Sequence, residues 1–186
     1  MTRVAMLAFA LGLVWCAPAQ AASLEAFFGA YVGTADVEKE GSRVETRDVD
    51  IVISGHDDGF RIDWVNVSLI DGRRDVPSVV RRATTALFAA GNQPGVYLQS
   101  SAYNPFVDRT SPDPMGGDAL RWASLEGDSL RMLSFQLLPD GAYELQVYDR
   151  TLRDDGLDLT FERVVDGRVT TRITGRAVRA KTGVEE

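Results

Sequence analysis

The fold of this chain is decided by residues 129–178, which read SLRMLSFQLLPDGAYELQVYDRTLRDDGLDLTFERVVDGRVTTRITGRAV. Apolar and polar residues alternate in four successive runs; in the first, Leu133 and Phe135 alternate with Ser134 and Gln136. A period of two is typical of strands that bury one face and expose the other. We therefore predict four consecutive antiparallel strands, with the apolar residues of each run on the buried face.

A turn sequence separates each pair of runs. These sequences are Pro-Asp-Gly at 139–141, Asp-Asp-Gly at 154–156 and Asp-Gly at 166–167. A tight hairpin turn needs positive φ angles, which Gly adopts freely and Asp tolerates. The segment is therefore predicted to be a meander of short hairpins.

The same alternation extends over the earlier part of the chain. Runs separated by turn residues at a spacing of roughly 8–12 residues are typical of barrels and sandwiches. We predict an all-β fold, an antiparallel up-and-down β-barrel of roughly 8–10 strands, with a β-sandwich as the alternative. The barrel is favoured because the connections are short and closure leaves no exposed edge. Apolar residues change face between Trp64 and Val65, which predicts a bulge near Trp64.

The first predicted strand opens with Gly29-x-Tyr31-x-Gly33, which places two glycines and a tyrosine on one face. This opening, together with the meander, resembles the start of lipocalins and other calycin barrels, although those proteins usually carry tryptophan where Tyr31 stands. The resemblance implies a first strand that closes one end of the barrel.

The N-terminus has the pattern of an export signal. A positive start at Arg3, an apolar run and Ala19-Gln20-Ala21 predict a cleaved secretory signal peptide over residues 1–21. A single barrel domain is expected over residues 22–180 and a flexible tail over 181–186. The predicted location is the periplasm, with secretion or a lipid anchor at Cys16 as alternatives.

Composition excludes several classes of function. The formal net charge is -7 and no large basic cluster is present, so nucleic acid is not an expected partner. One histidine and one cysteine leave no basis for a histidine or cysteine metal site. His56 lies among turn residues and is interpreted as solvated. We predict no catalytic residue, no metal and no cofactor.

Aromatic residues provide the only indication of a binding site. A barrel that its own side chains do not fill encloses a cavity. The residues predicted to bind a ligand, on inward faces or on the proline-rich loop, are Tyr31, Trp64, Tyr103, Phe106, Trp122, Phe135, Tyr143 and Phe161.

The function predicted from these observations is that of an exported, non-enzymatic lipocalin-like barrel that binds a small, largely apolar ligand. One alternative is an envelope interaction or scaffold protein with a packed core and a protein partner. Another is an isomerase or hydrolase that uses carboxylates in the barrel mouth. Membrane association is not expected after signal cleavage.

Overall fold

Ten strands form in the computed structural model, which describes residues 22–100 and 112–180. In chain order the strands are β1 (Gly29–Lys39), β2 (Ser42–His56), β3 (Gly59–Ser68), β4 (Arg81–Ala90), β5 (Val96–Ser100), β6 (Leu120–Glu126), β7 (Ser129–Leu137), β8 (Tyr143–Arg153), β9 (Gly156–Val165) and β10 (Arg168–Arg179). The predicted meander corresponds to β7–β10.

Each strand pairs antiparallel with the next strand in sequence, and β1 pairs with β10 to close the barrel. The predicted up-and-down barrel is thus confirmed, and the sandwich alternative is wrong. Every strand has a partner on both sides, over Leu87–Ala90 in the case of β4 with β5, and such closure protects strand edges from edge-to-edge aggregation.

The turn between β9 and β10 has the conformation that its sequence predicts. Asp166 has φ 46° and Gly167 has φ 76°, so both central residues lie in the left-handed region. This conformation matches the right-handed twist of the flanking strands and fixes their register. An ion pair follows further along the hairpin, where two nitrogens of Arg172 donate to one carboxylate oxygen of Glu162 across the outer face.

The closure of β1 against β10 depends on glycine. A Cβ atom at Gly33 would lie 1.9 Å from the carbonyl oxygen of Arg176, and one at Gly175 would lie 2.3 Å from the carbonyl oxygen of Thr34. No side chain fits at such distances, because the neighbouring atoms are backbone. The second glycine of the Gly-x-Tyr-x-Gly opening therefore permits the close approach that seals the barrel.

One end of the barrel is closed by a packed floor. A short 3-10 helix, Leu24–Phe27, lies across this end, and the Tyr31 hydroxyl donates to the Phe27 carbonyl at 2.7 Å. The Arg179 guanidinium lies 4.9 Å from the centre of the Tyr31 ring and donates to the carbonyl of Ala26. The floor is fully buried and consists mainly of Phe27, Tyr31, Ile53, Phe60, Ile62, Phe88, Leu130 and Leu157.

The bulge predicted near Trp64 is wrong. β3 pairs with β2 and with β4 in unbroken register from Phe60 to Val67. The inward face simply changes from apolar to polar, since Trp64 is followed on that face by Asn66, which borders the barrel cavity. Val67 lies on the opposite face and is nevertheless buried.

The prediction that the apolar residues at the start of the meander face the barrel interior is also wrong. On β7 and β8 the inward residues include Ser134, Glu144 and Arg150, all of them buried. Alternation then places Phe135 and Leu145 on the outer face, where they are cross-strand partners. These strands are therefore polar inside and apolar outside along the open half of the barrel.

Candidate ligand-binding cavity

A cavity of about 470 Å³ occupies the barrel above the packed floor. This volume lies within the range of roughly 300–1,000 Å³ that is typical of small-molecule sites. All ten strands contribute to its wall, which is part aromatic, part aliphatic and part polar. Residues that border it include Ala35, Arg47, Val49, Ile51, Trp64, Asn66, Arg82, Thr84, Ala86, Phe88, Gln99, Arg121, Met132, Ser134, Gln146, Tyr148, Arg150, Leu159, Phe161 and Ile173.

Three aromatic rings form a continuous surface on the wall. The centre of the Tyr148 ring lies 4.7 Å from that of Phe161 and 5.9 Å from that of Trp64, both in tilted geometry. Aromatic groups in such contact are held in place by packing and present large apolar faces. Burial raises the pKa of the Tyr148 hydroxyl, so this group stays neutral and can donate a hydrogen bond.

A chain of hydrogen bonds fixes the polar side of the wall. The Tyr148 hydroxyl donates to the Gln146 amide oxygen at 2.6 Å, and the Gln146 amide nitrogen donates to the Glu144 carboxylate. Arg163 on β9 pairs with the other oxygen of the same carboxylate. Glu144 is 1 % exposed, so it needs these donors to offset the loss of water.

Arg150 has a different environment from the other charged groups. It is 4 % exposed, and its cross-strand partners are Leu130 on β7 and Leu159 on β9. One terminal nitrogen approaches the Met132 sulfur at 3.3 Å, while Nε has no hydrogen-bond partner. Burial lowers the pKa of Arg150 to about 10, so the group remains cationic at neutral pH at a cost in free energy.

The cavity is electropositive although the protein is acidic. Arg47, Arg82, Arg121 and Arg150 border it, while the one acidic residue of its lining, Asp149, lies between the inward residues Tyr148 and Arg150 and directs its carboxylate outward. The Asp149 carboxylate is already bound by Arg131, at 2.8 Å from its Nε. Of the four arginines, Arg47 is paired with Glu45. The charge of the wall therefore has the sign opposite to the net charge of -7 for the chain.

Comparisons with known proteins concern the fold. The sequence matches no known protein family, and no relative is found among curated proteins. A crystal structure of a protein of unknown function from the DUF3598 family of Nostoc punctiforme is similar, with a TM-score of 0.53 and 12% identity over 86% of this chain and 50% of that chain. This chain thus spans about half the length of that protein. The fold is a lipocalin-like barrel.

A second solved structure is the S-type phycobiliprotein lyase CPES from Guillardia theta. The TM-score is 0.37 and the identity 12%, over 85% of this chain and 90% of that chain. The lipocalin-like barrel described here has ten strands, whereas typical lipocalins have about eight.

The lipocalin-like barrel places six of the eight predicted ligand-binding residues, in three different environments. Trp64 and Phe161 border the cavity, and Tyr31 is buried in the floor. Tyr103 and Phe106 lie outside the described residues. The other three, Trp122, Phe135 and Tyr143, are on the outer face. Contact with a ligand stays a prediction for Trp64 and Phe161.

The outward position of those three residues corrects their predicted inward orientation. Trp122 is the neighbour of Ala123, which is completely buried, and the rings of Phe135 and Tyr143 stack outside with centres 6.1 Å apart. The cavity wall of the lipocalin-like barrel instead receives residues that aromatic patterning did not select, above all Tyr148 and Arg150. Tyr148 and Arg150 share a face of β8 with Glu144 and Gln146. The alternation predicts that a buried face is apolar, so this polar face is assigned to the outside.

Three further features of the described residues concern metal binding, the single histidine and membrane-spanning helices. No group of three or more metal-ligating residues occurs within residues 22–100 and 112–180. His56 is the last residue of β2, with a half-exposed side chain 3.6 Å from the Asp57 carboxylate. Within the same ranges, no helix is long and apolar enough to cross a membrane.

Proposed function

We propose that this protein is an exported, non-enzymatic binding protein that holds a small, largely apolar ligand inside its barrel. The observation that carries the proposal is the cavity of about 470 Å³, which lies above a packed floor and is walled by Trp64, Tyr148 and Phe161. A scaffold with a solid core would not need these aromatic faces around open space. The N-terminal sequence pattern supports export to the periplasm.

The carboxylate-based alternative receives little support from the site. Among the described residues the one buried carboxylate belongs to Glu144, and both of its oxygens accept hydrogen bonds, from Gln146 and Arg163. A general base needs a free lone pair directed at a substrate.

A fluorescence titration tests the proposal. The neutral probe phenylnaphthylamine emits strongly in apolar surroundings, so we expect saturable one-to-one binding to the purified protein. Trp64→Ala should weaken this binding by about tenfold, because it removes a large apolar contact. Trp122→Ala is the matched control, since it removes the same side chain from the outer wall and should leave binding unchanged. Equal effects of the two substitutions would contradict an internal site.

An interaction role is the second function that a specific observation favours. The outer face of β5–β9 carries two adjacent rows of apolar cross-strand partners, Leu98–Trp122–Leu133–Val147 and Leu120–Phe135–Leu145–Val164. Contiguous apolar surface of this kind is typical of protein interaction sites. We expect Leu145→Ser to abolish cross-linking to an envelope protein partner if this function is correct, while ligand binding is retained.

A further inference from the structure

Arg150 is the most deeply buried cation of the cavity wall. Its side chain comes from the middle of β8, and the strands on both sides contribute leucines opposite it. Among the described residues no carboxylate lies within salt-bridge distance of this guanidinium. The neighbouring carboxylate in sequence, Asp149, is directed to the outer face and bound there by Arg131.

Burying a guanidinium without a counterion costs free energy, and the surroundings of Arg150 offset only part of that cost. Its contacts are the Met132 sulfur and the rings of Trp64 and Tyr148, whose centres lie 5.8 Å from its central carbon. A thioether is a weak acceptor, and two ring faces compensate only part of the lost hydration. An arginine presents five donors, and the hydrogen bonds that satisfy them are strongest with an oxyanion.

The geometry points to an oxyanion-binding subsite at Arg150, so that the ligand is an amphiphile with a carboxylate or phosphate on the guanidinium and an apolar body along the aromatic rings. This inference rests on the proposed function, because it names the class of ligand for the same cavity. Three further arginines lie at the cavity wall, Arg47, Arg82 and Arg121; Arg47 is paired with Glu45, and the other two add positive charge that attracts anions. Of these, Arg82 and Arg121 are exposed.

Two probes of the same aromatic skeleton test the subsite. Anilinonaphthalene sulfonate carries an anion that phenylnaphthylamine lacks. We expect the wild-type protein to bind both and to bind the sulfonate more tightly. Arg150→Met should weaken sulfonate binding by about thirtyfold or more, since it removes one partner of a buried charge pair, and should change binding of the neutral probe by less than about threefold. Arg172→Met is the matched control, because it removes an exposed arginine of the outer wall.

Competing ligands distinguish the sources of the anion. Decanoate and decyl phosphate should displace the sulfonate probe far better than decanol, and either headgroup supports the subsite. Inorganic phosphate alone should not compete at equal concentration; full displacement by it would overturn the amphiphile class. Arg150→Lys retains a charge without the planar fork, so it should bind decanoate about tenfold more weakly than wild type and should rescue part of the loss in Arg150→Met.

The outcomes separate the two proposals. Equal competition by decanol and decanoate, or unchanged sulfonate binding in Arg150→Met, would overturn the subsite while the ligand-binding function stands. Absence of saturable binding for either probe in the wild type would overturn both. Circular dichroism and thermal unfolding of each variant establish that it folds, and the lysine variant serves if the methionine variant does not.

Discussion

Two walls of this barrel alternate with the same period of two, but they turn opposite kinds of residue towards the interior. The wall of β2 and β3 is apolar inside and charged outside; its inward residues are Val49, Ile51, Ile53, Phe60 and Ile62, and its outward residues include Asp48, Asp50, Arg61 and Asp63. The wall of β7 and β8 reverses this over its open half; Ser134, Gln146 and Arg150 face inward, and Leu133, Phe135 and Leu145 face outward.

The difference reflects what each wall encloses. At the level of the floor Ile53, Phe60 and Ile62 of the first wall are fully buried, and only apolar side chains can be buried there without partners, whereas Arg47 and Asn66 of the same wall border the cavity. The second wall borders a cavity with hydrogen-bonding groups of its own, so polar side chains there can reach one another or a ligand. A period of two thus fixes which residues share a face but not which face lies inside.

The largest expected contrast between the walls is in stability. Phe60 is fully buried and stacks on Phe88 with ring centres 4.8 Å apart. Phe60→Ala should lower the free energy of unfolding by about 3–5 kcal/mol, measured by urea denaturation. Phe135→Ala on the outer wall should cost less than about 1.5 kcal/mol, because its ring is partly solvated and its contacts are limited to outer neighbours such as Tyr143. Similar losses would contradict the assignment of the two faces.

A substitution on the second wall is expected to stabilise the protein. Arg150→Met removes a buried charge that has no carboxylate partner within residues 22–100 and 112–180, and it should raise the free energy of unfolding of the ligand-free protein by about 1–4 kcal/mol. The pKa of Arg150 is lowered in the folded state, so the unfolded chain binds this proton more tightly and wild-type stability increases with pH above about 10. The gain from the substitution should therefore shrink in that range. A loss of stability at neutral pH would show that Arg150 already has a partner.

The hydrogen-bonded chain on the inner wall should give a smaller effect. Gln146→Leu removes a donor to the buried Glu144 carboxylate and the acceptor of the Tyr148 hydroxyl. We expect a loss of about 1–3 kcal/mol in thermal or chemical unfolding. Val147→Thr, one residue along and on the outer face, should change stability by about 0.5 kcal/mol or less. A larger effect at Val147 than at Gln146 would reverse the assignment of inside and outside on β8.

Sequence reasoning predicted the topology because turn chemistry and periodicity are local. Asp166 and Gly167 adopt the positive φ angles that their identities favour, and the four strands of the meander follow at the expected places. It could not predict which face of β7 and β8 points into the barrel, because the rule that apolar residues face inward assumes a filled interior. Burial of Glu144 and Arg150 depends on partners and space contributed by other strands.

One signal of the cavity was nevertheless visible in the sequence. On β7 the apolar inward residues Leu130 and Met132 give way to Ser134 on the same face, while Leu133 and Phe135 continue on the other. β3 shows the same change after Trp64. The sequence pattern alone predicts a bulge at this point. In both strands the change of face marks the level at which the packed floor ends and the cavity begins.

The most direct test of an internal ligand uses the two tryptophans that remain from residue 22 onward, Trp64 inside and Trp122 outside. Decanoate, which does not absorb near tryptophan, would be titrated into Trp122→Phe, which retains Trp64, and into Trp64→Phe, which retains Trp122. We expect a saturable shift in emission only when Trp64 is present. A shift that requires Trp122 instead would place the ligand on the outer apolar wall and contradict the account.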